Sequence, residues 1–175
     1  MSILVPVADK GITINEVPDR MSVYFEIGEC RQNCKGCHSP HLHTQIKDKM
    51  SVAAMKSYAQ RMVNEGANAI VILGGTTNGL SLVDMKNIID TLSDVAPVCL
   101  YSGTDDKDIN EWITDHTGVN WIKTGSYKED LGGLQSPKTN QRFYRVCVSY
   151  CYDMFGTITS CRPNLIDETY KFLPT

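Results

Sequence analysis

Apolar residues recur along this chain in short runs, and the spacing within each run predicts an element. Residues 21–27 (MSVYFEI) set Val23, Phe25 and Ile27 at alternate positions, the two-residue period of a strand. Residues 51–65 place Val52, Met55, Ala59, Met62 and Val63 at helical spacing, with Ser51 as a cap and Gly66 as a stop. Residues 69–73 (AIVIL) are apolar throughout, which suits a strand covered on both faces. A second helix is predicted over 81–95. Ser81 and Asp84 have capping-box spacing there, and Leu82, Met85, Ile88, Ile89 and Leu92 form the buried stripe. Residues 98–101 make the next strand, 104–117 a third helix and 119–123 a further strand. In that helix Ile109, Trp112 and Ile113 face the core, Thr104 caps the start and Gly118 closes the end; Asp105, Asp106 and Asp108 lie at its positive pole. A polar, glycine-rich loop fills 124–142, residues 143–150 read as extended, and 161–175 show no assignable period.

This alternation predicts an α/β fold with a mostly parallel sheet, either flat and doubly wound or curled into part of a barrel. Ligands of such sheets sit at the carboxyl ends of the strands. The segments at those ends are 28–40, 74–79, 102–104 and 124–127. The first carries a cysteine cluster, and the others are rich in Gly, Ser and Thr. Four loops distant in sequence are thereby expected to converge on one edge.

Length and charge narrow the classes. A chain of 175 residues suits one domain over 1–175 and is too short for a complete eight-fold βα barrel. Its 42% hydrophobic and 21% charged residues are those of a water-soluble globular chain, and a net charge of −3 gives no electrostatic case for nucleic acid. No apolar run is long enough to span a bilayer, and MSILVPVADKG does not read as a signal peptide, so a cytoplasmic location is expected. There is no internal repeat and no low-complexity tract.

The seven cysteines are an odd number, and in a reducing compartment clustered cysteines serve metals or catalysis more often than cross-links. Cys30, Cys34 and Cys37 fall in GECRQNCKGCHSPHLH (28–43) with the spacing C-x3-C-x2-C. Three thiolates on one loop can hold a soft metal centre. Zinc would take a fourth ligand, for which His38, His41 and His43 are near in sequence. A [4Fe–4S] cluster would leave one iron open for a small molecule. Unrelated reduced thiols are the plain alternative. Cys99, Cys147 and Cys151 read as small core residues, although Cys147, Cys151 and Cys161 together have the makings of a second metal site.

The spacing after the first strand resembles that of the radical S-adenosylmethionine superfamily. Cys34-Lys35-Gly36-Cys37-His38-Ser39-Pro40 resembles more narrowly the cluster loop of the anaerobic ribonucleoside-triphosphate reductase activating proteins, and LGGLQSPKTNQR (131–142) their Gly-rich NQR loop. The resemblance covers most of 21–144. It implies an incomplete βα barrel, with Cys30, Cys34 and Cys37 binding three irons of a [4Fe–4S] cluster whose fourth iron chelates S-adenosylmethionine. Reductive cleavage would give a 5′-deoxyadenosyl radical that takes hydrogen from a glycine of the reductase large subunit, with a flavodoxin-like one-electron donor. Gly74 and Gly75 match the glycine pair that approaches the methionine end of the cofactor, and Ser102 could touch its ribose or methionine part. Thr76 stands where the family has an acid, so the contact to the amino group weakens or moves, with Thr77 and Asn78 as nearby candidates. The alternatives are a tight turn that needs glycine at Gly74-Gly75 and an ordinary helix-entry turn at Ser102-Gly103. Lys123 or Tyr127 would reach the same pocket, and the loop 131–142 would dock the partner or close the site. No catalytic residue is assigned. A formate-lyase-type activase, and a non-catalytic iron–sulfur or zinc protein, are the competing readings.

Overall fold

The computed structural model describes residues 3–174, without the side chains of 151 and 159–161. Its strands are β1 (Leu4–Val5), β2 (Val7–Thr13), β3 (Ser22–Ile27), β4 (Met50–Ser51), β5 (Ala69–Leu73), β6 (Val98–Tyr101), β7 (Val119–Thr124), β8 (Arg142–Tyr152) and β9 (Ile158–Asp167). Its helices are α1 (Val52–Asn64), α2 (Leu82–Ser93) and α3 (Lys107–His116). β1 and β4 form a small antiparallel pair, and the other seven strands form one sheet in the order β2-β3-β5-β6-β7-β8-β9.

The helices start where short polar side chains can satisfy their free amides. The Ser51 hydroxyl accepts from the Ala54 N–H at 3.2 Å, and Ser81 and Asp84 make the expected capping box. α3 departs from expectation. It begins after Asp106, not Thr104, because the Asp106 carboxylate reaches two amides, those of Asp108 at 3.0 Å and Ile109 at 3.3 Å. Thr104 sits one turn outside and accepts from the Asp106 N–H. The helix ends at Thr117, one residue before Gly118.

The sheet is mixed where a mostly parallel one was expected. β3, β5, β6 and β7 run parallel, whereas β2, β8 and β9 are added antiparallel. The connections explain this. Only the links through α1, α2 and α3 contain a crossover helix, and a parallel pairing needs such a crossover. The parallel strands also step across the sheet in chain order. Crossovers of one hand then put every helix on the same face, and Met55, Ile88, Ile89, Leu92 and Ile113 do pack with Phe25, Ile72, Leu100 and Ile122 in one core. The doubly wound alternative is thereby excluded.

The opposite face carries no α-helix among the described residues. Val71, Cys99, Trp121 and Phe143 on that face are covered by Val17 and Leu134, from irregular chain between β2 and β3 and between β7 and β8, and by Phe172, from a single 3-10 turn (Thr169–Phe172) after β9. Irregular segments roof a sheet less completely than helices do, and the gap they leave holds the site. Among the described residues no helix is long and apolar enough to cross a membrane.

Candidate functional site

β3 runs into the cysteine loop at the carboxyl edge of the sheet. Glu29, Asn33 and Gly36 all have positive φ, at 60°, 50° and 70°. Asn33 is a residue type that adopts left-handed backbone readily, whereas at Glu29 it persists only where contacts hold it. Glu29 is held by Lys49 at 3.0 Å and by the Ile46 N–H at 3.2 Å. The Cys30 N–H donates to the Leu42 carbonyl at 2.8 Å, and the Cys37 N–H to that of Cys34 at 3.2 Å.

The turn after β5 is stitched to this loop by Asn78, which is 3% exposed. Its amide nitrogen donates to the Ile27 and Gly28 carbonyls, both at 2.8 Å. Its amide oxygen accepts from the Gly75 N–H at 2.7 Å and the Thr77 hydroxyl at 3.3 Å. Gly74 and Gly75 have φ of 103° and 113°. A Cβ on Gly75 would lie 2.6 Å from the Met85 sulfur and push aside the end of that side chain, while the positive φ is what calls for glycine. The Thr77 carbonyl accepts from the Arg31 N–H at 2.9 Å, and its hydroxyl lies 3.5 Å from the Cys30 sulfur.

Between the two loops and the roof lies a cavity of about 550 Å³. Its floor is a lateral row set by register: Glu26 pairs with Leu73, Leu73 with Tyr101, and Tyr101 with Lys123. All four line the cavity. Adjacent strands lie roughly 4.8 Å apart, so the carboxylate and ammonium ends of the row are separated by about three such steps. Burial pulls the Lys123 ammonium down to about 8, against the opposing pull of Cys34, Asp105 and Glu16. Its Nζ donates to the Gly125 carbonyl at 2.9 Å. Burial also raises the Glu16 carboxyl, to which Glu26 adds like-charge repulsion. The Tyr101 hydroxyl donates to the Glu16 carbonyl at 2.6 Å, and burial raises its own pKa. At the mouth, His38 Nε2 and the Tyr127 hydroxyl are 3.1 Å apart.

Cys30, Cys34 and Cys37 are free and half-buried, and all three line this cavity. Gly74 lines it too. Gly75, Thr76 and Ser102 stand behind the wall: Gly75 and Ser102 are buried, and the Thr76 and Ser102 hydroxyls meet at 3.2 Å. Asn78, a sequence candidate for the contact to the amino group, spends its amide on the backbone and the Thr77 hydroxyl. Lys123 and Tyr127 do reach the cavity. Glu16 and Glu26 were not singled out, although Glu26 occupies a polar position in the β3 alternation and so had to face away from the helices. In the roof, Gln141 is buried and donates to the Gly125 carbonyl at 3.3 Å, while Arg142 turns back onto the Thr139 and Gln141 carbonyls. Cys99 is a core residue whose thiol burial pushes up. Cys147 is half-buried beside Arg145 on β8, and the side chains of Cys151 and Cys161 lie outside the described set.

Among the described residues no three His, Cys, Asp or Glu side chains converge on a single ion position. Convergence of that kind is what a mononuclear ion asks for; a [4Fe–4S] cluster takes each thiolate on a different iron. A scan against family models and searches of curated proteins and of solved structures find no match to this chain.

Proposed function

We propose that this chain is a radical S-adenosylmethionine activase that installs a glycyl radical on the large subunit of an anaerobic ribonucleoside-triphosphate reductase. The observation that carries the proposal is the common cavity of Cys30, Cys34, Cys37 and Gly74 at the carboxyl ends of parallel strands. The sequential parallel strands with all helices on one face support an incomplete βα barrel as the underlying fold.

The donor set fits a [4Fe–4S] cluster. Three thiols share one wall: the Thr77 hydroxyl lies 3.5 Å from the Cys30 sulfur, and the Ser39 N–H donates to the Cys37 sulfur at 3.4 Å. When bound, such a cluster supplies the electron that cleaves S-adenosylmethionine and so begins hydrogen abstraction from a glycine. The chain's own groups bind and orient. Gly74 lets the backbone approach the ligand, with Gly75, Thr76 and Ser102 shaping the turn behind it. The roof keeps water off the inner face. A flavodoxin-like donor and a cytoplasmic setting belong to the same proposal.

The test is an anaerobic preparation assayed for iron, sulfide and dithionite-dependent 5′-deoxyadenosine, then mixed with the reductase and read for a glycyl-radical resonance. Iron and sulfide in equal amounts with nucleoside formation are expected. Stoichiometric zinc without iron or sulfide would overturn the proposal, and an intact reduced cluster giving no 5′-deoxyadenosine would leave only an iron–sulfur protein.

A further inference from the structure

Thr77 touches the cysteine loop twice. Its carbonyl takes the Arg31 N–H at 2.9 Å, and its hydroxyl lies 3.5 Å from the Cys30 sulfur, within hydrogen-bond reach for a sulfur atom. The same hydroxyl lies 3.3 Å from the Asn78 amide oxygen. A hydroxyl has one proton to give. With Cys30 as a thiol, the S–H can donate to Thr77, which donates in turn to Asn78. With Cys30 bound to iron, the sulfur has no proton, and the contact survives in one direction only: Thr77 donates to sulfur. Asn78 tolerates that switch because its oxygen keeps the Gly75 N–H at 2.7 Å.

The three cysteine sulfurs differ in what supports them. Cys37 has a backbone amide, which no side-chain change removes. Lys123 lines the same cavity as Cys34, but its ammonium is engaged with the Gly125 carbonyl. Thr77 is the one side-chain hydroxyl aimed at a cysteine sulfur among the described hydrogen bonds. A donor to a cluster-ligating sulfur favours the reduced, more negative state and raises its potential.

We propose that Thr77 is a positioning residue of the cysteine loop whose hydroxyl donates to the iron-bound Cys30 sulfur and raises the reduction potential of the cluster. This rests on the activase reading above. The experiment is a potentiometric titration of the reconstituted cluster without S-adenosylmethionine, followed by electron paramagnetic resonance, in wild type, T77V and T77S. T77V keeps the size of the side chain and loses the donor; T77S keeps the donor. The expected result is wild-type iron content in both, a midpoint shifted to more negative potential in T77V, and a return toward wild type in T77S. A T77V midpoint equal to wild type overturns the inference, as does a T77S midpoint shifted as far as that of T77V. Should T77V fail to retain iron, T77A in the same titration decides by the same shift. A wild type without a redox-active cluster overturns the activase reading itself, an outcome distinct from an intact cluster that ignores Thr77.

Discussion

Cys34, Asn78 and Lys123 each do a different kind of work around the cavity, and each can be perturbed separately. Cys34→Ala removes a proposed iron ligand and is expected to abolish both the iron–sulfur absorption and 5′-deoxyadenosine formation; a full cluster with full turnover in this variant would refute the ligand assignment. Asn78→Ala strips partners from two carbonyls and one amide in a buried turn. A loss of about 3 kcal/mol is expected, since each buried polar group left unpaired costs roughly 1–3 kcal/mol. Urea denaturation of the two proteins measures it. Lys123 bears on pH dependence. Its folded pKa of about 8 lies below its ordinary 10.5, so the unfolded chain holds this proton more tightly. The burden on stability is therefore full below about pH 8 and is relieved as pH rises toward 10.5. Lys123→Met removes the titration, so the stability of wild type relative to this variant should improve across that window. Denaturation at a series of pH values checks the slope, and a constant difference would show that Lys123 does not titrate there.

Among the elements, the roof and the helix caps differ most in the range of the interactions that form them. Caps are local, and Ser51, Ser81 and Asp84 are legible because the residues that satisfy a helix start lie within one turn of it. The exception at α3 has the same local origin: among three nearby acids, the one whose oxygen reaches two amides wins. The roof is not local. Leu134 lies in a loop whose composition reads only as polar and flexible, yet it is 8% exposed and packs in the inner-face cluster with Trp121 and Phe143. Leu134→Ala should lower stability by about 2–3 kcal/mol, the usual range for truncating a buried leucine. Hydrogen exchange should speed up more in 125–141 than in α2, where it rises only by the loss of global stability. Uniform acceleration across both would show that the roof is not a separate cover.

For the whole molecule, the mixed sheet has one protruding part. β8 pairs with β7 only from Arg142 to Arg145, and beyond that β8 and β9 pair with each other. At the tip of this hairpin Met154 and Phe155 are 88% and 86% exposed, around a turn in which the Asp153 carboxylate accepts from the Phe155 and Thr157 amides. Such a tip is where a protease gains purchase before the body of the fold. Brief chymotrypsin treatment is expected to cut first at Tyr152 or Phe155 and leave a folded remainder, read by mass spectrometry; first cleavage within 125–141 would contradict this order.

Elements with a strong period, and the cysteine spacing, are legible in the chain without its fold. β5 and β6 coincide with their apolar runs, and the helical stripes face the core as their 3.6-residue spacing requires. Edge strands carry no such mark. β2 and β9 are half-solvated, polar and interrupted by Gly11 and Pro163, so their pairing depends on a neighbour and not on their own alternation. The antiparallel margins of the sheet were decided only there. So was the floor of the cavity. Glu26, Leu73, Tyr101 and Lys123 lie far apart in the chain and meet because strand register aligns them, a property of pairs of strands that no single segment contains.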